Sequence, residues 1–140
     1  MKLDFTLAMT PPRATHQEKG VTFRWVNGKP VPMFYERKAL KEARRDFMVA
    51  LEPFAPEYPL EGAIRLKTLW TYPRGKHKDG EPKTTKPDTD NMIKLLKDCM
   101  TQAGFWYDDA QVCDERIGKV WGDDVGIRIV VEQIKEEVQE

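Results

Sequence analysis

The chain has 140 residues, of which 40% are hydrophobic and 33% are charged. This length and composition fit one domain with its own hydrophobic core and exclude a largely disordered chain. Basic and acidic residues number 23 each, so the net charge of zero argues against a protein that binds DNA by bulk positive charge alone.

No apolar run is long enough to span a membrane. Asp4 also interrupts the N-terminal segment where a signal peptide needs apolar residues, so we expect a cytoplasmic protein. The two cysteines and two histidines match no zinc-binding spacing, and we expect neither a zinc site nor an organic cofactor.

In chain order, the first elements are two strands and a helix. Alternating apolar and polar side chains predict strands over residues 3–9 and 21–26, with a hairpin between them. Asn27-Gly28 is a strong turn signal after the second strand. From residue 32 the spacing becomes helical, with apolar positions at Ala39, Leu40, Ala43, Phe47, Ala50 and Leu51.

The second half alternates strands with a second helix. Residues 64–72 predict a strand, and residues 73–87 predict a loop long enough to be functional or mobile. A helix follows from near Asp90 to Ala103, where Gly104 ends it. Residues 112–121 and 125–134 predict two more strands. The pattern indicates an α+β fold: a single compact domain with a small mixed or antiparallel sheet of about four or five strands and two main helices packed on it.

Two pairs of aspartates flank the second helix. If Asp88-Thr89-Asp90 is extended, both carboxylates point the same way; if Asp90 is instead the helix N-cap, its carboxylate lies at the positive end of the helix. Lys94, one turn later, lies on the same face as Asp90. Either geometry gathers anionic groups where an ion or a phosphate can approach.

The second pair, Asp108-Asp109, follows a turn made by Gly104 and three aromatic residues. Adjacent side chains diverge in an extended segment, so we expect Asp109 to be the closer metal ligand and Asp108 an outer or alternate one. Oxygen ligands without nitrogen or sulfur suit Mg²⁺, with Mn²⁺ as a substitute. Such an ion can activate water for attack on a phosphodiester, which predicts a metal-dependent nuclease.

Each of these features also has an ordinary structural explanation. Asp90 alone is more often a helix cap, and Asp108-Asp109 alone is more often part of a turn. Lys94 alone is usually a salt-bridge partner, and a basic loop alone is usually a solvated segment. The functional interpretation depends on all of them falling within one short stretch of chain.

Basic residues precede this stretch and are the candidates for contact with nucleic acid. Acidic neighbours at Asp79 and Glu81 dilute the run, so part of the affinity is expected from elsewhere. The predicted nucleic-acid-binding residues are Arg13, Arg74, Lys76, Lys78, Lys83 and Lys86.

Residues 86–114 resemble the RusA family of Holliday junction resolvases. The family's Asp-x-Asp-Asn motif, the lysine four residues later and the Gly-aromatic turn with Asp-Asp-x-Gln correspond to Asp88, Asp90, Asn91, Lys94 and residues 104–111. The resemblance implies that Asp88, Asp90, Asp109 and Lys94 are catalytic. It also implies a homodimer that cuts four-way junction DNA by paired, symmetric, Mg²⁺-dependent nicks during recombination and repair.

On this interpretation residues 1–134 form one endonuclease domain, and residues 135–140 form an acidic tail that frays into solvent. The protein would act in a bacterial or phage-infected cell. Two alternatives remain open from the sequence. One is a metal-dependent phosphohydrolase acting on nucleotides or another nucleic acid, and the other is a DNA-binding module without catalysis.

Overall fold

The computed structural model describes residues 1–13 and 19–135. His16 and the tail beyond residue 135 lie outside the described residues. The elements are β1 (Lys2–Leu7), β2 (Lys19–Val26), β3 (Lys29–Glu36), α1 (Lys38–Leu51), β4 (Ile64–Pro73), α2 (Thr89–Ala103), β5 (Val112–Gly122) and β6 (Gly126–Gln133). Short 3-10 turns follow α1 at Glu52–Phe54 and precede β5 at Asp109–Gln111.

A four-stranded mixed sheet with the order β1-β6-β4-β5 forms the centre of the fold. The central strand β4 pairs antiparallel with β6 and parallel with β5, while β1 pairs antiparallel with β6. Strands β2 and β3 form a separate two-stranded sheet. Two helices and a mixed sheet confirm the predicted α+β class.

One face of the sheet is covered by the helices. Along β4, Ile64, Leu66 and Trp70 are buried on the covered face, whereas Lys67 and Leu69 are exposed on the other. The ring of Phe47 in α1 meets Trp70 edge-on, with 6.0 Å between ring centroids. The alternation therefore arises because every second residue of the strand faces the helices.

Helix α2 follows the predicted boundaries to within a residue. Its apolar stripe is buried, and Gly104 ends it in a left-handed conformation (φ 88°) that a residue with a Cβ rarely adopts. The predicted strands 64–72, 112–121 and 125–134 are also confirmed. Among the described residues, neither helix combines the length and apolarity needed to cross a membrane.

Two predictions about the first third of the chain are wrong. Strand β1 does not form a hairpin with β2 but pairs with β6, so that Leu3 lies opposite Val131. Residues 32–36 are not helical, because β3 pairs with β2 across the Asn27-Gly28 turn. The prolines at positions 30 and 32 argue against a strand in the sequence, because proline has no N–H to donate. A two-stranded ribbon tolerates them because each of its strands is an edge with one side unpaired.

Tyr72, near the end of β4, carries an unsatisfied polar group into the core. Its side chain is 3% exposed, and its hydroxyl finds no hydrogen-bond partner in the described part of the chain. Burial raises the pKa of Tyr72 to about 12. The folded protein therefore favours the neutral phenol and gains nothing from its O–H group.

Replacing Tyr72 with phenylalanine should stabilise the protein. The change removes a buried hydroxyl without a partner, so we expect the free energy of unfolding to rise by about 1 kcal/mol at neutral pH. The pKa of Tyr72 in the folded protein lies above the ordinary value of about 10, so the unfolded chain loses this proton first. The free energy of unfolding of the wild-type protein therefore falls as the pH rises from 10 towards 12. Phenylalanine cannot ionise, so the difference in free energy of unfolding between the variant and the wild type should increase over that range. Urea denaturation at several pH values measures this, and a less stable Tyr72→Phe protein would show that the hydroxyl has a partner.

Candidate active site

The first acidic pair lies at the start of α2. Asp88 is the N-cap residue, with an extended backbone (φ −70°, ψ 146°), and Asp90 lies in the first helical turn. Neither of the two geometries expected from the sequence is found. Asp90 is not the N-cap, because the helix begins one residue earlier, and Asp88-Thr89-Asp90 is not an extended segment, because only Asp88 is extended. Both carboxylates lie at the end of the helix where its dipole is positive.

A surface cavity of about 440 Å³ brings the central candidates together. Asp90 and Lys94 line it from α2, and Asp109 lines it from the turn before β5. Asp88 does not line this cavity, although its backbone leads directly into the helix that does. Chain segments almost twenty residues apart thus place two carboxylates and one ammonium group on the same concave surface.

The three predicted carboxylates of the site form no ion pair within the part of the chain that the structure describes. Among the described residues, none donates a hydrogen bond to the carboxylate of Asp88, Asp90 or Asp109, and none forms an ion pair with it. In particular, Lys94 does not pair with Asp90, so a salt bridge within the helix does not explain this lysine. Four other aspartates do pair with arginines, namely Asp4, Asp98, Asp114 and Asp123. The negative field at the helix start is therefore left for a ligand to neutralise.

The donor chemistry fits a hard divalent ion. In the described ranges, no group of three His, Cys, Asp or Glu side chains is close enough to form a ready-made metal site. Mg²⁺ nevertheless rarely uses a full protein cage, because it keeps several waters and binds through one or two carboxylates plus substrate phosphates. Asp90 and Asp109 on one open cavity match that mode of binding.

The two aspartates of the second pair have different environments. Asp108 caps the 3-10 turn Asp109–Gln111, and its carboxylate accepts a hydrogen bond of 2.9 Å from the backbone N–H of Ala110. Asp109 instead lines the cavity. The sequence favoured Asp109 as the closer ligand, and the structure gives Asp108 a role within the turn.

Gln111 fixes this turn, a role that the sequence analysis did not assign. Its side-chain oxygen accepts hydrogen bonds from the backbone N–H groups of Tyr107 (2.8 Å) and Asp108 (3.0 Å). Its side-chain nitrogen donates to the carbonyl oxygens of Leu60 (2.9 Å) and Gly62 (3.0 Å). One glutamine side chain therefore ties the turn that carries Asp109 to the segment before β4, and its place in the Asp-Asp-x-Gln motif was the available signal.

Glu115 is a second residue that was missed. It lines the same cavity and lies 3.4 Å from the ammonium group of Lys97. The signal was present in β5, where Glu115 precedes Ile117 by two residues and so shares its face. Because Lys97 neutralises it, Glu115 adds less to the negative field than the unpaired aspartates do.

The predicted nucleic-acid-binding residues divide into two groups. Arg13, Arg74, Lys76, Lys78 and Lys86 are exposed. Lys83 is only 7% exposed, and its ammonium group lies 5.0 Å from the ring centre of Tyr72 and 4.2 Å from that of Trp121. Burial, with Lys119 and Arg13 nearby, lowers the pKa of Lys83. The assignment of Lys83 to the DNA surface is therefore corrected, because its ammonium group faces rings and not solvent.

The basic loop that contains Lys83 is attached to β5. His77 stacks on Trp121 with 4.2 Å between ring centroids, and Arg74 pairs with Asp123 at 2.6 Å. A β-bridge joins Pro82 to Val120. The length of this loop suggested a functional or mobile segment, and the structure shows the contacts that place it along the edge of the sheet.

These features indicate a class of protein: two aspartates without an ion pair and a lysine on one open surface suit a phosphodiester-cleaving site. The model of the family described as endodeoxyribonuclease RusA matches residues 10–132. The chain therefore belongs to the RusA endodeoxyribonuclease family. The resemblance drawn from residues 86–114 is confirmed, and so is the prediction of a nuclease at the level of the family.

Individual relatives carry the same name. A crossover junction endodeoxyribonuclease RusA of Lactococcus phage r1t is 30% identical over 115 residues, which cover 80% of this chain and 83% of the relative. Those of Escherichia coli K12 and Enterobacteria phage 82 are each 49% identical over 39 residues, which cover 28% of this chain and 32% of either relative. Similarity to the phage r1t protein thus extends over most of both chains.

Substitutions at Asp108 should separate its turn role from the chemistry. Asparagine also caps well, so Asp108→Asn should leave the free energy of unfolding nearly unchanged, whereas Asp108→Ala should lower it by about 1 kcal/mol. Chemical denaturation of both variants measures the difference. An Asp108→Asn protein as unstable as the alanine variant would show that charge, and not the cap hydrogen bond, is what matters at this position.

Proposed function

We propose that this protein is a crossover-junction endodeoxyribonuclease that resolves four-way DNA junctions by paired, symmetric, Mg²⁺-dependent nicks. Its family and the names of its relatives support the reaction class. The observation that carries the proposal is the shared cavity lined by Asp90, Lys94 and Asp109, in which neither aspartate forms an ion pair with a described residue.

Asp88, Asp90 and Asp109 would hold the divalent ion in this proposal, with Asp108 as an alternate ligand. When bound, the ion supplies an activated water and neutralises charge on the scissile phosphate; Mn²⁺ can take its place. Lys94 projects from the same helical face as Asp90. Its ammonium group can hold a phosphate oxygen and stabilise the charge that develops there during cleavage.

The DNA backbone would lie against the exposed basic residues. Arg13, Lys76, Lys78 and Lys86 are exposed and are the residues proposed for phosphate contact. Arg74 is exposed too, but its guanidinium pairs with Asp123, so a phosphate would have to share it or displace that partner. Such contacts position the duplex without reading its sequence, which suits an enzyme that recognises a junction by shape. A chain of zero net charge needs a local basic surface of this kind to offset the repulsion between its carboxylates and phosphate.

A homodimer is part of the proposal. A four-way junction cut at two symmetric positions calls for two active sites related by two-fold symmetry, and a dimer supplies them. We propose further that residues 1–134 act as one domain and that the protein works in the cytoplasm of a bacterial or phage-infected cell. Relatives from Escherichia coli and from phages support that setting.

Replacing Asp90 with asparagine should abolish nicking while sparing junction binding. The loss should be about a hundredfold or more, because an ion ligand contributes several kcal/mol of charge stabilisation. Binding should persist or strengthen, since one carboxylate that repels phosphate is gone. Nicking of a synthetic four-way junction and a matched linear duplex, with Mg²⁺ or with EDTA, measures the effect. Asp46→Asn, on an exposed position of α1, is the matched control.

The outcomes of that assay separate the candidate functions. Paired nicks in the junction alone, lost in Asp90→Asn and kept in Asp46→Asn, support the proposal. Equal cutting of both DNAs would remove junction selectivity, and release of phosphate from free nucleotides would favour a phosphohydrolase. Binding without any cutting by the wild type would favour a module without catalysis.

Binding of the ion should also make the folded protein more stable. An ion that binds only the folded protein raises the free energy of unfolding, by about 2.7 kcal/mol at one hundred times its dissociation constant. We expect Mg²⁺ to raise the melting temperature of the EDTA-treated wild type and to raise that of Asp90→Asn much less. An equal rise in both proteins would place the ion elsewhere.

A further inference from the structure

At Thr85 and Pro87, the segment that leads into α2 is held to β5 by one side chain. The ammonium group of Lys119 donates hydrogen bonds to the carbonyl oxygens of Thr85 (2.6 Å) and Pro87 (2.7 Å). Pro87 directly precedes Asp88, the N-cap of the helix that bears Asp90. A single lysine on the sheet therefore holds the backbone at the point where it enters the candidate active site.

The same segment is joined to β5 at successive positions before this point. The carbonyl oxygen of Trp121 accepts from the N–H of Gly80 (2.8 Å), and the N–H of Trp121 donates to the carbonyl oxygen of Glu81 (2.9 Å). The N–H of Lys83 donates to the carbonyl oxygen of Lys119 (3.1 Å). The regular backbone pairing ends at Lys83. Beyond that residue, the side chain of Lys119 makes the hydrogen bonds between β5 and this segment.

Lys83 supports this attachment from the core side. Its ammonium group donates to the hydroxyl of Thr85 at 2.6 Å while packing over the ring of Trp121. Thr85 is thus held twice, through its side chain by Lys83 and through its carbonyl oxygen by Lys119. Lys83, which was predicted to contact DNA, and Lys119 are therefore both engaged with the protein itself.

The position of the Asp88 carboxylate depends on this backbone. Although Asp88 occupies the N-cap position, its side chain makes no capping hydrogen bond. Among the described residues, none hydrogen-bonds to this carboxylate or pairs with it, so its place is set by the path of the chain from Pro87 into the helix. Groups that orient metal ligands without touching the ion commonly change metal affinity or activity by about 10- to 100-fold when removed.

We propose that Lys119 is a positioning residue of the active site, which holds the backbone at Thr85 and Pro87 and thereby sets Asp88 for the divalent ion. This inference rests on the proposed function of the site. Lys119 does not line the cavity that Asp90 and Asp109 share, and its ammonium group is already bonded to two carbonyl oxygens. Its effect is therefore on the ion site and not on the contact with DNA.

The test compares Lys119→Met with Lys67→Met in the full chain. Lys67 lies on the exposed face of β4, without an ion-pair partner in the described residues, so the same substitution there is the matched control. We expect Lys119→Met to lower the kcat of junction nicking by about 10- to 100-fold and to raise the Mg²⁺ concentration for half-maximal activity. Junction affinity in EDTA should stay within about twofold of wild type. Lys119→Arg keeps a charged multiple donor, so it should recover part of the activity and of the Mg²⁺ response.

A second measurement needs neither DNA nor activity. Amide hydrogen exchange over residues 84–92 should be faster in Lys119→Met than in the wild type, and unchanged in Lys67→Met. If Lys119→Met does not fold, Lys119→Gln replaces it, because its shorter side chain cannot span both carbonyl oxygens. Exchange that stays at the wild-type rate, together with an unchanged Mg²⁺ requirement, overturns the proposal.

Two further outcomes keep this proposal separate from the proposed function. Weaker junction binding by Lys119→Met at an unchanged Mg²⁺ requirement would make Lys119 a DNA contact and would overturn the positioning role. A wild type that cuts no DNA would overturn the proposed function. In that case the hydrogen-exchange comparison would still decide whether Lys119 holds residues 84–92. An unchanged exchange rate in Lys119→Met would overturn the positioning role independently of the proposed function.

Discussion

The burial of one side of α2 against the sheet determines where the candidate site lies. Met92, Leu95, Leu96 and Cys99 are buried on that side, so the helix cannot rotate without exposing them. Asp90 and Lys94 fall on the exposed part of the first turns and face the cavity beside β5. Hydrophobic packing thus orients the polar residues, and one of the buried side chains, that of Ile93, also lines the cavity.

This packing holds like charges on one cavity, and neither carboxylate pairs with another described residue. Asp90 and Asp109 reach the same cavity from different segments, so their repulsion counts against the folded state unless solvent or a bound ion reduces it. Both are exposed, so water screens much of that repulsion in the free protein. Negative charge that no described residue pairs with favours the binding of a cation, which is why the proposed ion is placed here.

Local patterns in the sequence were enough to predict much of the fold. The apolar spacing of α2, its end at Gly104 and the alternation along β4 depend on neighbouring residues, and each was predicted. The pairing of β1 with β6 was not predictable in this way, because it joins opposite ends of the chain. Strand β3 was missed for another reason: its prolines act against strand formation everywhere except at edges, and only the tertiary structure shows that it is an edge.

For the site, the sequence predicted the residue types better than their surroundings. Asp90, Lys94 and Asp109 do share one cavity, as their spacing around α2 suggested. The capping position of Asp88, the turn role of Asp108 and the bonds of Gln111 needed the backbone geometry. Side-chain chemistry alone does not say which of two adjacent carboxylates faces a ligand.

The lysines show most clearly what composition leaves undecided. Lys83 and Lys86 are three residues apart in one basic run, yet the first packs between aromatic rings and the second is exposed. Lys119, outside that run, bonds to the backbone that precedes Asp88. A lysine can neutralise a phosphate only if its ammonium group is not already bonded within the protein, so the basic residues that shape the site differ from those available to DNA. In the proposals made above, the former would act on catalysis through geometry, and the latter would act on DNA affinity through charge.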